Sequence, residues 1–170
     1  MSENRSQDIQ LVKLAIQVEK DGQGFLEQFS GKIENEESDI KTFIVQIQEA
    51  VAEDLETLES VMSGLEDEQS AAEMEEKSLD DYIKEMQAVR NEKFYPADRL
   101  KDLFEDFFNP IRVLDFMSEA LKEQAEFYTN CADNIFYENE KKVFLELAGR
   151  KNEQANEARG KKKEIISRFP

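Results

Sequence analysis

Glu19 is the residue whose chemistry fits its surroundings least. It lies in "LAIQVEKDGQGFL" (14–26), where apolar residues recur at helical spacing, and it falls within the apolar side. A carboxylate placed there is a metal ligand, one half of an internal ion pair, or an edge group reaching water. The rest of the chain narrows the chemistry. It contains no histidine, which excludes histidine catalysis and any metal site that requires imidazole. Its single cysteine, Cys131, has nothing nearby to activate a thiolate and reads as a small core residue. Phosphate-binding loop, dinucleotide fingerprint, Ser–His dyad and Cys/His metal spacing are all missing. Carboxylate pairs are so common in this acidic chain that they do not point to glycosidase-type chemistry.

The bulk composition excludes further classes. A chain of 170 residues suits one domain, 1–170, with a real core. Charged residues make up 36% and hydrophobic ones 39%, a balance that suits a protein rich in surface helix. The net charge of −17 disfavours nucleic acid and anionic membrane surfaces, both of which need clustered Lys and Arg. The one basic cluster, Lys161-Lys162-Lys163, falls near the end of the last expected helix, where it complements the helix dipole. A lone cysteine forms no intrachain disulfide and agrees with a reducing compartment. The start, "MSENRSQDIQ", lacks a signal-peptide core, and no apolar run approaches the roughly 20 residues of a membrane span. These features together lead us to expect a cytoplasmic protein that binds neither nucleic acid nor membrane.

The elements that must position these residues read as helix almost throughout, so the expected class is all-α. The spacing predicts a first helix over about 7–33, with Leu11, Ala15, Val18, Gly22, Phe25 and Phe29 inward. A second runs from an N-cap at Ser38 to about 62, with Gly64 as its stop signal. Its inward stripe includes Phe43, Ile47, Val51, Leu58 and Val61. A third covers about 110–132 (Leu114, Met117, Leu121, Ala125, Tyr128), and a fourth about 134–166 (Phe144, Leu147, Ala148, Ala155, Ala158). Short connections make each consecutive pair an antiparallel hairpin. The stretch 63–109 is long enough to recross the bundle as a helical crossover between the second and third helices. An internal echo links the halves: "GQGFLEQF" with "QAEFYTNC", then "FIVQIQEAVAED" with "VFLELAGRKNEQ". It suggests one hairpin used twice. Second apolar strips on the third helix (Val113, Phe116, Ala120, Phe127, Cys131) and the second (Ile44, Leu55, Met62) exceed what a simple bundle needs. They predict packing against the crossover or against another chain, with a homodimer as the expected assembly.

Three segments resemble a known family. "LAIQVEKDGQGF" is similar to the first helix of rubrerythrins, in the ferritin-like superfamily; "VLDFMSEALKEQAEFY" is similar to their third, and "FLELAGRKNEQ" has the frame of their last. The resemblance implies a ferritin-like four-helix bundle and two iron atoms inside it. The irons would be held by a Glu from each of two helices and a Glu-x-x-His from each of the other two. Carried onto this sequence, the first-helix Glu is Glu19, and the second-helix pair falls on Val51 and Asp54. The third-helix ligand falls on Leu121, with Ser118 one turn before it, and the fourth-helix pair on Lys151 and Gln154. A one-residue slip in the second helix would substitute Ala50 and Glu53. Either register leaves no Glu-x-x-His, and the rubredoxin-like cysteine module of rubrerythrins is missing too.

Lys151 is the replacement that decides the expectation. Its spacing places it near the centre of the inward stripe of the fourth helix, where an unpaired ammonium would cost several kcal/mol and would repel Fe²⁺. It is expected to pair with Glu19 and Asp54 in place of metal charge, with Gln154 and Ser118 hydrogen-bonding the remaining oxygens. The leading expectation is a bundle that has lost its di-iron centre, needs no cofactor, and acts as a non-catalytic structural or interaction protein. The alternative is a divergent metal-binding oxidoreductase or metal carrier. It would hold iron or another divalent cation in a reduced carboxylate site of Glu19, Asp54 and Glu53. A third reading is a helical adaptor whose hairpins bind partner helices.

Overall fold

The computed structural model describes residues 2–32, 38–68 and 109–168. They form four helices: α1 (Ser2–Lys32), α2 (Ser38–Glu68), α3 (Pro110–Asn134) and α4 (Glu138–Ser167), with no strand among the described residues. The described residues form an all-α four-helix bundle. Most of the proposed crossover, from 69 to 108, lies outside the described residues.

Side-chain pairs fix the helix directions. Asp115 meets Lys162, Ser118 meets Arg159, and Tyr128 stacks near Phe144, so α3 and α4 run antiparallel. The second half of α1 packs with the first half of α2, and the first half of α1 with the end of α2, so this pair is antiparallel too. Phe25 meets Phe116 and Gln7 reaches Asn134, which makes α1 antiparallel to α3. It follows that α2 and α3 run parallel. The end of α2 (Leu65) and the start of α3 (Val113) belong to different apolar clusters, at opposite ends of the bundle.

Helix ends have local causes. Asn109 caps α3 by accepting from the Ile111 amide (3.0 Å), and Pro110 fills the first helical position, where its missing N–H is harmless. Gly64, expected to stop α2, does not. The helix continues to Glu68 because Leu65 is buried in the interior, and that burial outweighs the preference of glycine for a helix end. At the start of α4, Tyr137 offers no side-chain cap. Asp8 of α1 does the job from a distance, accepting from the Phe136 and Tyr137 amides at 2.9 and 3.2 Å. Arg5 lies over the Tyr137 ring at 4.7 Å and closes the same corner.

The interior is divided. One apolar cluster combines Phe25 and Phe29 with Ile40–Leu55, Val113–Leu121 and Ala155–Ile165. The other combines Ile9–Val18 with Leu58–Leu65, Phe127–Ile135 and Phe144–Ala148. On α1, α3 and α4 the interval between the clusters contains a buried polar residue, Glu19, Gln124 and Lys151 respectively, and on α2 the buried Asp54 lies beside Leu55, the last α2 residue of the first cluster. The second apolar strips of α2 and α3 are buried within the chain itself.

Candidate functional site

The polar level between the clusters is built by register. Glu19 follows Val18 on the inner side of α1, Asp54 sits between Val51 and Leu55 at the α2 edge of the first cluster, and Lys151 sits between Ala148 and Ala155 on α4. Lys151 is 0% exposed, and Glu19 and Asp54 are each 1% exposed. The Lys151 ammonium donates to Glu19 Oε2 at 3.1 Å, lies 3.0 Å from Oε1, and is 3.5 Å from Asp54 Oδ2. Tyr128 OH donates to Glu19 Oε1 at 2.5 Å. Arg150, with its side chain 41% exposed, reaches in from the rim to Asp54 Oδ1 at 2.8 Å.

Charge balance holds the group together: two carboxylates face one buried ammonium and one half-exposed guanidinium. Burial pushes the Asp54 carboxyl above its usual range; Lys151 and Arg150 pull it down, and Glu19 pushes it further up. Both Asp54 oxygens are without a well-formed hydrogen bond among the described residues, so ion pairing alone compensates their burial. Burial, then the neighbouring charge of Glu19, holds the Tyr128 hydroxyl well above its ordinary value, so it remains a neutral donor. Cys131 is buried and free, and burial pushes its thiol up as well, which makes it a poor nucleophile.

Of the positions carried over from the resemblance, the structure brings Glu19, Asp54 and Lys151 into one cluster. Val51 and Leu121 lie in the adjoining apolar cluster, and Gln124 occupies the polar level on α3. Two expected hydrogen bonds are corrected. Ser118 turns to α4 and accepts from Arg159 Nε at 3.1 Å, because the antiparallel register sets Arg159 opposite it. Gln154 is buried, but among the described residues its amide donates to neither carboxylate, and its Oε1 has no partner. Glu53 is exposed, while Ala50 is half-buried. The contributions of Tyr128 and Arg150 were not anticipated. Tyr128 stood in the sequence as one more inward aromatic, and Arg150 as a neighbour of the residue that mattered.

Rubrerythrin-type di-iron chemistry does not fit these residues. Such a centre needs several carboxylates and two imidazoles. Here two carboxylates converge, an ammonium bridges them, and the third carboxylate considered, Glu53, faces outward. No group of three or more His, Cys, Asp or Glu suited to a metal ion exists among the described residues. No family model, characterised protein or solved structure matches the chain. The likeness to rubrerythrins therefore stands on the segments quoted above. None of the described helices is long and apolar enough to cross a membrane.

Proposed function

We propose that the chain is a ferritin-like bundle of rubrerythrin shape whose metal position has been taken over by an internal ion-pair cluster. It acts in the cytoplasm as a non-catalytic structural or interaction protein. The observation that carries this reading is the fully buried Lys151 ammonium, within ion-pair distance of both Glu19 and Asp54. An ammonium there supplies the positive charge that a metal would supply, and it excludes Fe²⁺ by repulsion and by occupying the carboxylate oxygens. The parallel course of α2 and α3 also supports the reading, since it requires one long connection, the arrangement of ferritin-like bundles.

The partner is a second copy or another protein. The extra apolar strips of α2 and α3 are already covered, so the contact face lies elsewhere; Val45, Phe136, Leu145 and Ile166 are the exposed large apolar residues among the described ones. Anaerobic titration of the purified protein with Fe²⁺, read by calorimetry and elemental analysis, tests the reading. No tight binding is expected. Two tightly held irons per chain would contradict it.

A further inference from the structure

Away from the buried cluster, the outside of the α3–α4 hairpin carries a cleft of about 330 Å³. Asp115, Ser118 and Glu119 line it from α3, and Arg159, Lys162 and Lys163 from α4. Both triplets have i, i+3, i+4 spacing, which puts each on one side of its helix, and the antiparallel register sets them face to face. Two contacts shape the lining. Lys162 and Asp115 pair at 2.6 Å and largely cancel each other. Arg159 spends its Nε–H on the buried Ser118 hydroxyl oxygen at 3.1 Å, which ties the guanidinium to the cleft wall.

A guanidinium has five N–H donors, and that bond is the only hydrogen bond or ion pair Arg159 makes among the described residues. The Lys163 ammonium has no partner among them at all. Three cations face two carboxylates here, a locally positive balance in a chain of net charge −17.

We propose that this cleft binds a small, hydroxylated phosphomonoester of sugar-phosphate size. The outer edge of an anchored guanidinium matches two phosphate oxygens at once, and Lys163 adds a second positive charge. The carboxylates of Asp115 and Glu119 accept hydrogen bonds from hydroxyls on the ligand body and repel extended polyanions. The volume lies at the small end of the roughly 300–1,000 Å³ range of small-molecule sites. The proposal is independent of the reading of the buried cluster, because none of the charged residues lining the cleft belongs to that cluster. Iron binding could disprove one without touching the other.

The test is calorimetric titration of the full chain at low ionic strength with glucose 6-phosphate, inorganic phosphate and glucose. Saturable binding of glucose 6-phosphate, tighter than that of phosphate, is expected, with none for glucose. Arg159→Gln should weaken it about tenfold or more, Lys163→Gln by less, and Lys13→Gln, at an exposed site on α1, not at all. Thermal melts establish that the variants are folded. The proposal is overturned by lack of saturation up to about 10 mM, by equal affinity in Arg159→Gln, or by inorganic phosphate binding as tightly as the sugar phosphate.

Discussion

A surface ion pair and the two buried pairs of Lys151 invert the usual link between short distance and strength. Lys162 and Asp115 meet at 2.6 Å on the surface, with side chains 32% and 49% exposed. Lys151 meets Glu19 at 3.0 Å and Asp54 at 3.5 Å, with all three side chains 1% exposed. The shorter pair is shared with water and screened by salt. The longer pairs act where no water can replace a lost partner. Burial, rather than separation, sets what each is worth, and at the buried level the greater quantity is the penalty for leaving one member alone.

Removing the buried cation should have the largest effect. Lys151→Met strands Glu19 without a cation and should lower unfolding stability by about 3–5 kcal/mol in urea denaturation. A loss below about 1 kcal/mol would place Lys151 in the same class as the surface pair. Tyr128→Phe should cost less, about 1.5 kcal/mol, because Glu19 Oε1 keeps Lys151 at 3.0 Å after losing the hydroxyl.

The pH dependence of Asp54 sharpens the contrast, because burial outweighs ion pairing at its carboxyl. Its carboxyl is raised above 3.8, with burial as the largest cause. The folded chain therefore holds a proton there that the unfolded chain would release. The favourable contribution is complete below about pH 3.8 and is lost as pH rises through the folded value. Asp54→Asn lacks this titration, so wild-type stability relative to the variant should increase as pH falls from about 7 towards 3.8. A decrease over that range would mean that pairing with Lys151 and Arg150 outweighs burial. Lys162→Ala should have the smallest effect, below about 1 kcal/mol, and that effect should shrink further in about 1 M salt.

The parts legible in the sequence were those governed by helical period. Phe144, Leu147, Ala148, Ala155 and Ala158 define one face of α4, and that spacing alone sends Lys151 inward. Glu19 and Asp54 follow from their own stripes in the same way. Contacts between distant segments were not legible. No local signal ties Asp8 to the start of α4, since the cap it provides exists only once α1 lies beside the α3–α4 turn. Ser118 was assigned to the charged cluster, yet the interhelix register, which no single stripe encodes, gives it to Arg159. For the same reason Gln124, rather than Leu121, occupies the polar level on α3. Gly64 misled because a local stop signal competes with the burial of the next residue, and Leu65 wins.

A double-mutant cycle on Lys151 and Glu19 tests most directly whether an internal ammonium balances the buried carboxylate. Unfolding free energies of wild type, Lys151→Met, Glu19→Gln and the double variant complete it. The account predicts strong coupling, with the double variant more stable than the two single losses imply by about 2 kcal/mol or more. Additivity within about 0.5 kcal/mol would show that the two charges do not depend on each other, and the charge-replacement account would be wrong.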